Sequence, residues 1–152
     1  MPDLPEKIKV VIVEDDKEMR EGLESILRFH SSLQCLASYG SAEEALGKIS
    51  GNIPDIVLMD IHLPGISGIE CVKQLKTILP QTQFMMCTVY EDSENVFDSL
   101  CAGATGYLLK NSPPGRITDA IIDLYHGGSP MSSVIARKVI NAFQPEKQTN
   151  LS

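Results

Sequence analysis

Three acids, one hydroxyl and one amine stand where short apolar runs end. Ile8–Val13 (IKVVIV) runs into Glu14 and Asp15, and Asp55–Asp60 (DIVLMD) ends on Asp60. Thr82–Thr88 (TQFMMCT) ends on Thr88, and Gly106–Leu109 (GYLL) is followed by Lys110. In an open doubly wound sheet, ligands bind outside the carboxyl ends of the strands, at the switch in strand order. If these runs are neighbouring strands, all five groups converge on one edge. Crowded carboxylates repel and need compensation. Mg²⁺ provides it, because it takes hard oxygen ligands and keeps several waters; Lys110 adds an ammonium group and Thr88 a hydroxyl. Such an edge suits phosphoryl transfer. A carboxylate is the nucleophile that forms an acyl phosphate, and cation, lysine and threonine stabilise charge on the equatorial oxygens during in-line transfer. Each residue alone has a plainer reading. Glu14 and Asp15 suit a helix N-terminus, Asp60 a turn, Thr88 a strand end and Lys110 a solvated surface. The ordered set is what points to chemistry.

The elements that position these groups alternate. Near-continuous apolar runs read as strands covered on both faces. Met19, Leu23, Ile26 and Leu27 form one stripe of a helix that Asp16 can cap. Leu33–Ser38 is a weaker strand. Ser41-Ala-Glu-Glu44 and Ser67-Gly-Ile-Glu70 are capping boxes, the second opening a helix that Pro80 stops. Val96, Phe97, Leu100 and Cys101 mark the face of a further helix. Ser112 is the expected cap of the next, with Pro113 at its first position and Gly127-Gly128 at its end. Its buried face is Ile117, Ala120, Ile121 and Leu124. Five strands alternating with five helices predict a parallel sheet with helices on both faces. A sixth helical segment, about Ser132 to Phe143, stands beyond that unit and leads into a polar tail. The expected organisation is one domain over 1–128, then a C-terminal helix and the start of a linker over 129–152.

Composition narrows the function classes. The chain has 152 residues, 43% hydrophobic and 22% charged, enough for one domain with a real core. A net charge of −7 argues against this chain gripping nucleic acid itself. Cys35, Cys71, Cys87 and Cys101 form no C-x-x-C pair and read as core residues in a reducing compartment. No secretory signal or membrane-length apolar run is visible, so the expected location is cytoplasmic, with no membrane partner.

VIVEDD, DIVLMDIHLPGISGIE, MMCTVYED and GATGYLLK resemble the four signature blocks of response-regulator receiver domains of two-component systems. The resemblance covers about Ile8 to His126. It implies a flavodoxin-like α/β fold of strand order 2-1-3-4-5. It further implies that Asp60 is the phosphoacceptor, served by a sensor histidine kinase or a phosphotransfer protein. Asp15 resembles the direct Mg²⁺ ligand, Glu14 the acid that reaches the metal through water, and the His62 backbone carbonyl a further ligand. Thr88 and Lys110 match the phosphoryl-binding pair, and Tyr107 the aromatic that reorients on activation with Thr88 as trigger. Glu14 stands where Asp is commoner, Asn111 where many receivers have proline, and Val89 where a smaller residue is frequent. The stretch from Gly103 to Ile140 resembles the NarL/FixJ (LuxR-type) subfamily, whose receivers precede a helix-turn-helix DNA-binding domain. The implied output is transcription through such a domain, absent from this chain. The sixth helical segment is then either that subfamily's connector or a simple capping helix. A phosphorylation-linked homodimer is expected through the fourth helix, fifth strand and start of the fifth helix, with the first and fifth helices as the other surface.

The resemblance implies a signalling phosphoacceptor rather than an enzyme acting on a separate substrate. The competing reading is a Mg²⁺-dependent phosphatase or cofactor binder on the same architecture. Such a phosphatase needs a second general acid beside its nucleophile, whereas Ile61 and His62 follow Asp60. No glycine-rich phosphate loop follows the first strand, and the chain has no Trp to stack a flavin.

Overall fold

The computed structural model describes residues 6–144. Five strands, β1 (Ile8–Val13), β2 (Leu33–Tyr39), β3 (Ile56–Met59), β4 (Gln83–Thr88) and β5 (Gly106–Leu109), pair in the order β2-β1-β3-β4-β5. All four pairings are parallel. Between and after them lie α1 (Lys17–Phe29), α2 (Ala42–Lys48, ending in a 3₁₀ turn over Ile49–Gly51), α3 (Gly68–Ile78), α4 (Ser93–Ala102), α5 (Pro114–Tyr125) and α6 (Ser133–Ala142). This is the doubly wound fold expected from the sequence, with the additional C-terminal helix.

The two-residue period of the strands divides the core into two layers. Val11, Val13, Val57, Met59, Phe84, Met86 and Tyr107 face one side, with Ala45, Val72, Leu75 and Val96 from α2, α3 and α4. Val10, Ile12, Ile56, Leu58, Met85 and Leu108 face the other, with Leu23, Leu27, Ile117 and Ile121 from α1 and α5. Strands buried on both faces have no polar side to show, which is why they read as unbroken apolar runs. Each wholly buried Leu, Ile, Val or Phe contributes about 1.5–3 kcal/mol relative to exposure.

Several local expectations shift. α5 starts one residue late: Pro113 is the N-cap, Pro114 takes the first helical position, and no side chain caps the end. Consecutive prolines explain this, because Pro114 holds Pro113 in extended backbone (ψ 152). Ser41 and Ser67 cap as expected, through Glu44 N–H and Glu70 N–H. Neither box closes on its cap residue, however. Glu44 instead accepts from Gly40 N–H, and Glu70 from the Gln74 side chain. On α4 the buried residues are Val96 and Ser99, while Cys101 is exposed. Cys71 and Cys87 are core residues, as all four cysteines were expected to be; Cys35 is half-buried. The tail beyond 144 lies outside the described residues. No helix among the described residues is long and apolar enough to cross a membrane.

Candidate functional site

Strand register assembles the site. Val13 pairs with Met59, so Glu14 and Asp60 are the next residues on adjacent strands, and Asp60 N–H donates to Val13 O at 3.1 Å. On the other side Thr88 pairs with Leu109, and Lys110 N–H donates to Thr88 O at 2.8 Å. The chain therefore delivers acids and amine to the same edge by backbone pairing, before any side-chain attraction is counted.

Carboxylate oxygens of Glu14, Asp15 and Asp60 lie within 4.8 Å of one another. Glu14 and Asp60 are buried and Asp15 is exposed, so the cluster opens to solvent on the Asp15 side. Lys110 Nζ stands 2.8 Å from Asp60 Oδ2 and 2.7 Å from Glu14 Oε1. The first contact is an aligned hydrogen bond. The second is a close ion pair off the hydrogen-bond direction, since Glu14 Oε1 is buried without a hydrogen-bond partner. Burial pushes the Glu14 carboxyl above the usual carboxylate range, against the pull of Lys110. Burial alone would lower the lysine, but the Asp60 and Glu14 carboxylates outweigh it and hold the ammonium charged above its usual range.

These groups fit Mg²⁺. One ammonium faces three carboxylates, a buried Glu14 oxygen has no hydrogen bond, and the exposed side leaves room for retained waters. The His62 carbonyl accepts no hydrogen bond from the described residues. Its imidazole is turned outward against Tyr90, with ring centroids 5.9 Å apart.

Thr88 is fully buried, and its Oγ1 accepts from Tyr90 N–H at 3.4 Å. Tyr107 is also fully buried, with its hydroxyl donating to Tyr90 O at 2.7 Å. The aromatic expected to reorient on activation occupies the interior here. Val89 is 65% exposed and lines a hollow of about 130 Å³ with Glu91, Leu109, Lys110 and Asn111.

Four supporting residues were not read as part of the site from the sequence. Arg20 donates to Glu14 O at 2.7 Å and braces the acidic turn. Glu43 accepts from Ile66 N–H at 2.8 Å, tying α2 to the loop after Asp60. Gly65 in that loop has φ +78, and a Cβ there would strike the Glu43 carboxylate. Gly68 lets α3 start against the Asp60 carbonyl, which a Cβ would overlap, while its N–H donates to Ile61 O at 2.8 Å. The Ser67-Gly68 pair was the only local signal: a cap followed by a residue without a side chain.

Comparison with known proteins agrees with this geometry. The family model described as the response regulator receiver domain matches residues 10–122. The transcriptional regulatory protein LnrK of Bacillus subtilis is 35% identical over 93% of this chain and 64% of its own length. The oxygen regulatory protein NreC of Staphylococcus epidermidis is 29% identical over 94% of this chain and 66% of its own. The chain thus spans about two thirds of the length of these relatives. Among solved structures, a LuxR-family two-component response regulator from Aurantimonas sp. SI85-9A1 superposes with a TM-score of 0.84 at 28% identity, covering 90% of this chain and 97% of that one. The receiver domain of NarL from Mycobacterium tuberculosis superposes at 0.77 with 30% identity, over 81% of this chain and 99% of that one. The chain belongs to the response-regulator receiver family, and its relatives are regulators of the NarL/LuxR type.

Proposed function

We propose that Asp60 is the phosphoacceptor of a two-component switch whose donor is a phosphohistidine on a sensor histidine kinase or phosphotransfer protein. The observation that carries this reading is the single edge shared by Asp60, Lys110 and the other two acids. An Asp60 carboxylate oxygen attacks phosphorus in line. The P–N bond breaks, and the imidazole nitrogen leaves with the electron pair and is protonated. Lys110 Nζ, already 2.8 Å from Asp60 Oδ2, stabilises negative charge on the phosphoryl oxygens. The Thr88 hydroxyl, with Tyr90 N–H on its oxygen, keeps its proton free for one of them. Ile61 N–H holds Asp60 Oδ1 at 2.8 Å and fixes the orientation of the carboxylate. Asp15 and Asp60, with Glu14 and the His62 carbonyl, would hold Mg²⁺; charge neutralisation at the phosphoryl oxygens is what that ion supplies.

Residues 1–128 form the receiver in this reading, and 129–152 the connecting segment toward an output. The names of the relatives suit transcription as that output, through a DNA-binding domain outside this chain. A phosphatase acting on separate substrates gains no support, since Asp60 is followed by Ile61, buried, and His62, facing away. Incubation with a small acyl-phosphate donor and Mg²⁺ should add one phosphoryl group, read by intact mass. Asp60→Asn should add none, and unchanged labelling of that variant would overturn the assignment.

A further inference from the structure

β5 is an edge strand, yet its outer edge is not bare. Tyr107 N–H donates to Pro130 O at 2.9 Å, and Ser132 N–H donates to Tyr107 O at 3.3 Å. Met131 thereby forms a parallel bridge opposite Tyr107. α6 follows at once and packs against α4. Ile135 is fully buried and belongs to the same core layer as Tyr107, with Met131 and Val139 packed on that layer. Phe143, just past α6, meets Phe97 of α4 edge to face at 6.5 Å between ring centroids. The segment is therefore seated on the α4–β5 face, and both backbone groups of Tyr107 are bonded to it.

The other end of the same residue reaches the phosphoryl site. Tyr107 Oη donates to Tyr90 O, and Tyr90 N–H donates to Thr88 Oγ1. Hydrogen bonds relayed through the Tyr107 side chain and the Tyr90 backbone thus join residues 130–132 to the Thr88 hydroxyl at the end of β4. A tyrosine ring leaving the interior would emerge at the α4–β5 edge, which this segment occupies. Docking of the segment and the buried position of Tyr107 favour each other.

We infer that residues 130–143 are an intramolecular partner of the α4–β5 face, positively coupled to phosphorylation of Asp60 through Tyr107. The inference rests on the phosphoacceptor reading. Coupling between two sites is reciprocal: a phosphoryl group that favours buried Tyr107 must tighten the seat of α6, and loosening α6 must weaken phosphoryl-group binding. Met131 and Ile135 are then positioning residues for the switch tyrosine.

The test is amide hydrogen exchange on the full chain, with and without Mg²⁺ and beryllium fluoride. The Ile61 and Lys110 amides report binding at Asp60, and the α6 amides report docking. Protection of α6 should rise about tenfold on binding, within the usual span of allosteric coupling, and should not change in Asp60→Asn. Ser132→Pro replaces the N–H that bonds Tyr107 O with a ring carbon that pushes against that carbonyl, so it opens the bridge from one side; φ at Ser132 is −60, a proline value, and its side chain makes no cap bond. That variant keeps Ile135 and the core intact and should bind beryllium fluoride about fivefold more weakly, the low end of the usual coupling range. Protection at Ile61 that rises while α6 stays unchanged, or loosens, overturns the coupling and leaves the phosphoacceptor standing. No response at Ile61 or Lys110 in the native chain overturns the phosphoacceptor reading and this inference with it.

Discussion

At the scale of single residues, Lys110 decides whether the acidic edge is tolerable. Among the described residues it is the one cation paired with both buried carboxylates, Glu14 and Asp60. Removing one partner of a buried ion pair leaves the other charge uncompensated, at a cost of about 3–5 kcal/mol; partial exposure of Lys110 places the expected cost of Lys110→Met near the lower end. Urea unfolding without divalent metal measures it. Glu14 carries a pH signature. Its folded carboxyl is raised by burial above its unfolded value, so the folded state holds its proton more tightly. That favours folding below the unfolded value and is lost as pH rises through the folded one. Metal-free stability should therefore decline as pH rises from about 4.5, the ordinary glutamate value, and Glu14→Gln should flatten that decline in melts across the range. Mg²⁺ would compensate the clustered carboxylates from outside, and a ligand bound to the folded state alone stabilises by mass action. Thermal melts should shift upward with Mg²⁺, and Asp15→Ala should abolish the shift because it deletes the solvent-facing carboxylate of the cluster without touching Lys110.

At the scale of elements, the sequence revealed what depends on local pattern and hid what depends on meeting across space. β1 and β3 were legible because a strand buried on both faces has no polar alternation to blur it. Glu14, Asp60, Thr88 and Lys110 could be placed on one edge from the sequence because each ends or directly follows a strand, with Asp15 one residue further on, and parallel pairing aligns those ends. The start of α5 was misplaced by one residue because adjacent prolines compete for the first helical position. Ser99 was missed as a buried α4 position because a hydroxyl carries no apolar signal, and Cys101 was included because it does. The support of the loop after Asp60 was invisible: Glu43 reaches Ile66 across 23 residues, and no spacing rule links them. That loop supplies the next prediction. Gly68→Ala places a methyl group on the Asp60 carbonyl, which forces α3 away from the strand end. Overpacking of this kind costs about 1–3 kcal/mol, measurable as a lower urea midpoint. The same displacement moves Asp60 relative to Lys110, so labelling by an acyl-phosphate donor should slow even where the variant remains folded.

At the scale of the whole molecule, α6 changes which surfaces are free. The sequence pointed to α4, β5 and the start of α5 as the face for phosphorylation-linked self-association, with α1 and α5 as the other choice. Here one side of α4 and the outer edge of β5 at Tyr107 are covered by the chain's own residues 130–143. A second copy can reach the edge of β5 at Tyr107 only by displacing that segment, and coupling to Tyr107 makes displacement harder once Asp60 is phosphorylated. The α1–α5 face remains open. Phe29, at 91% exposure the most exposed large apolar side chain described, stands beside an apolar hollow of about 410 Å³ lined by Ile26, Pro114 and Thr118. A projecting ring next to a hollow on one face is self-complementary under a two-fold axis, where each copy supplies both. Sedimentation with Mg²⁺ and beryllium fluoride should therefore show association at micromolar concentrations that Phe29→Glu removes, because a charge there would be buried unpaired. Ile140→Glu, on the exposed side of α6, should leave it unchanged. If Phe29→Glu associates as the native chain does and Ile140→Glu does not, self-association belongs to the α6 side of the molecule.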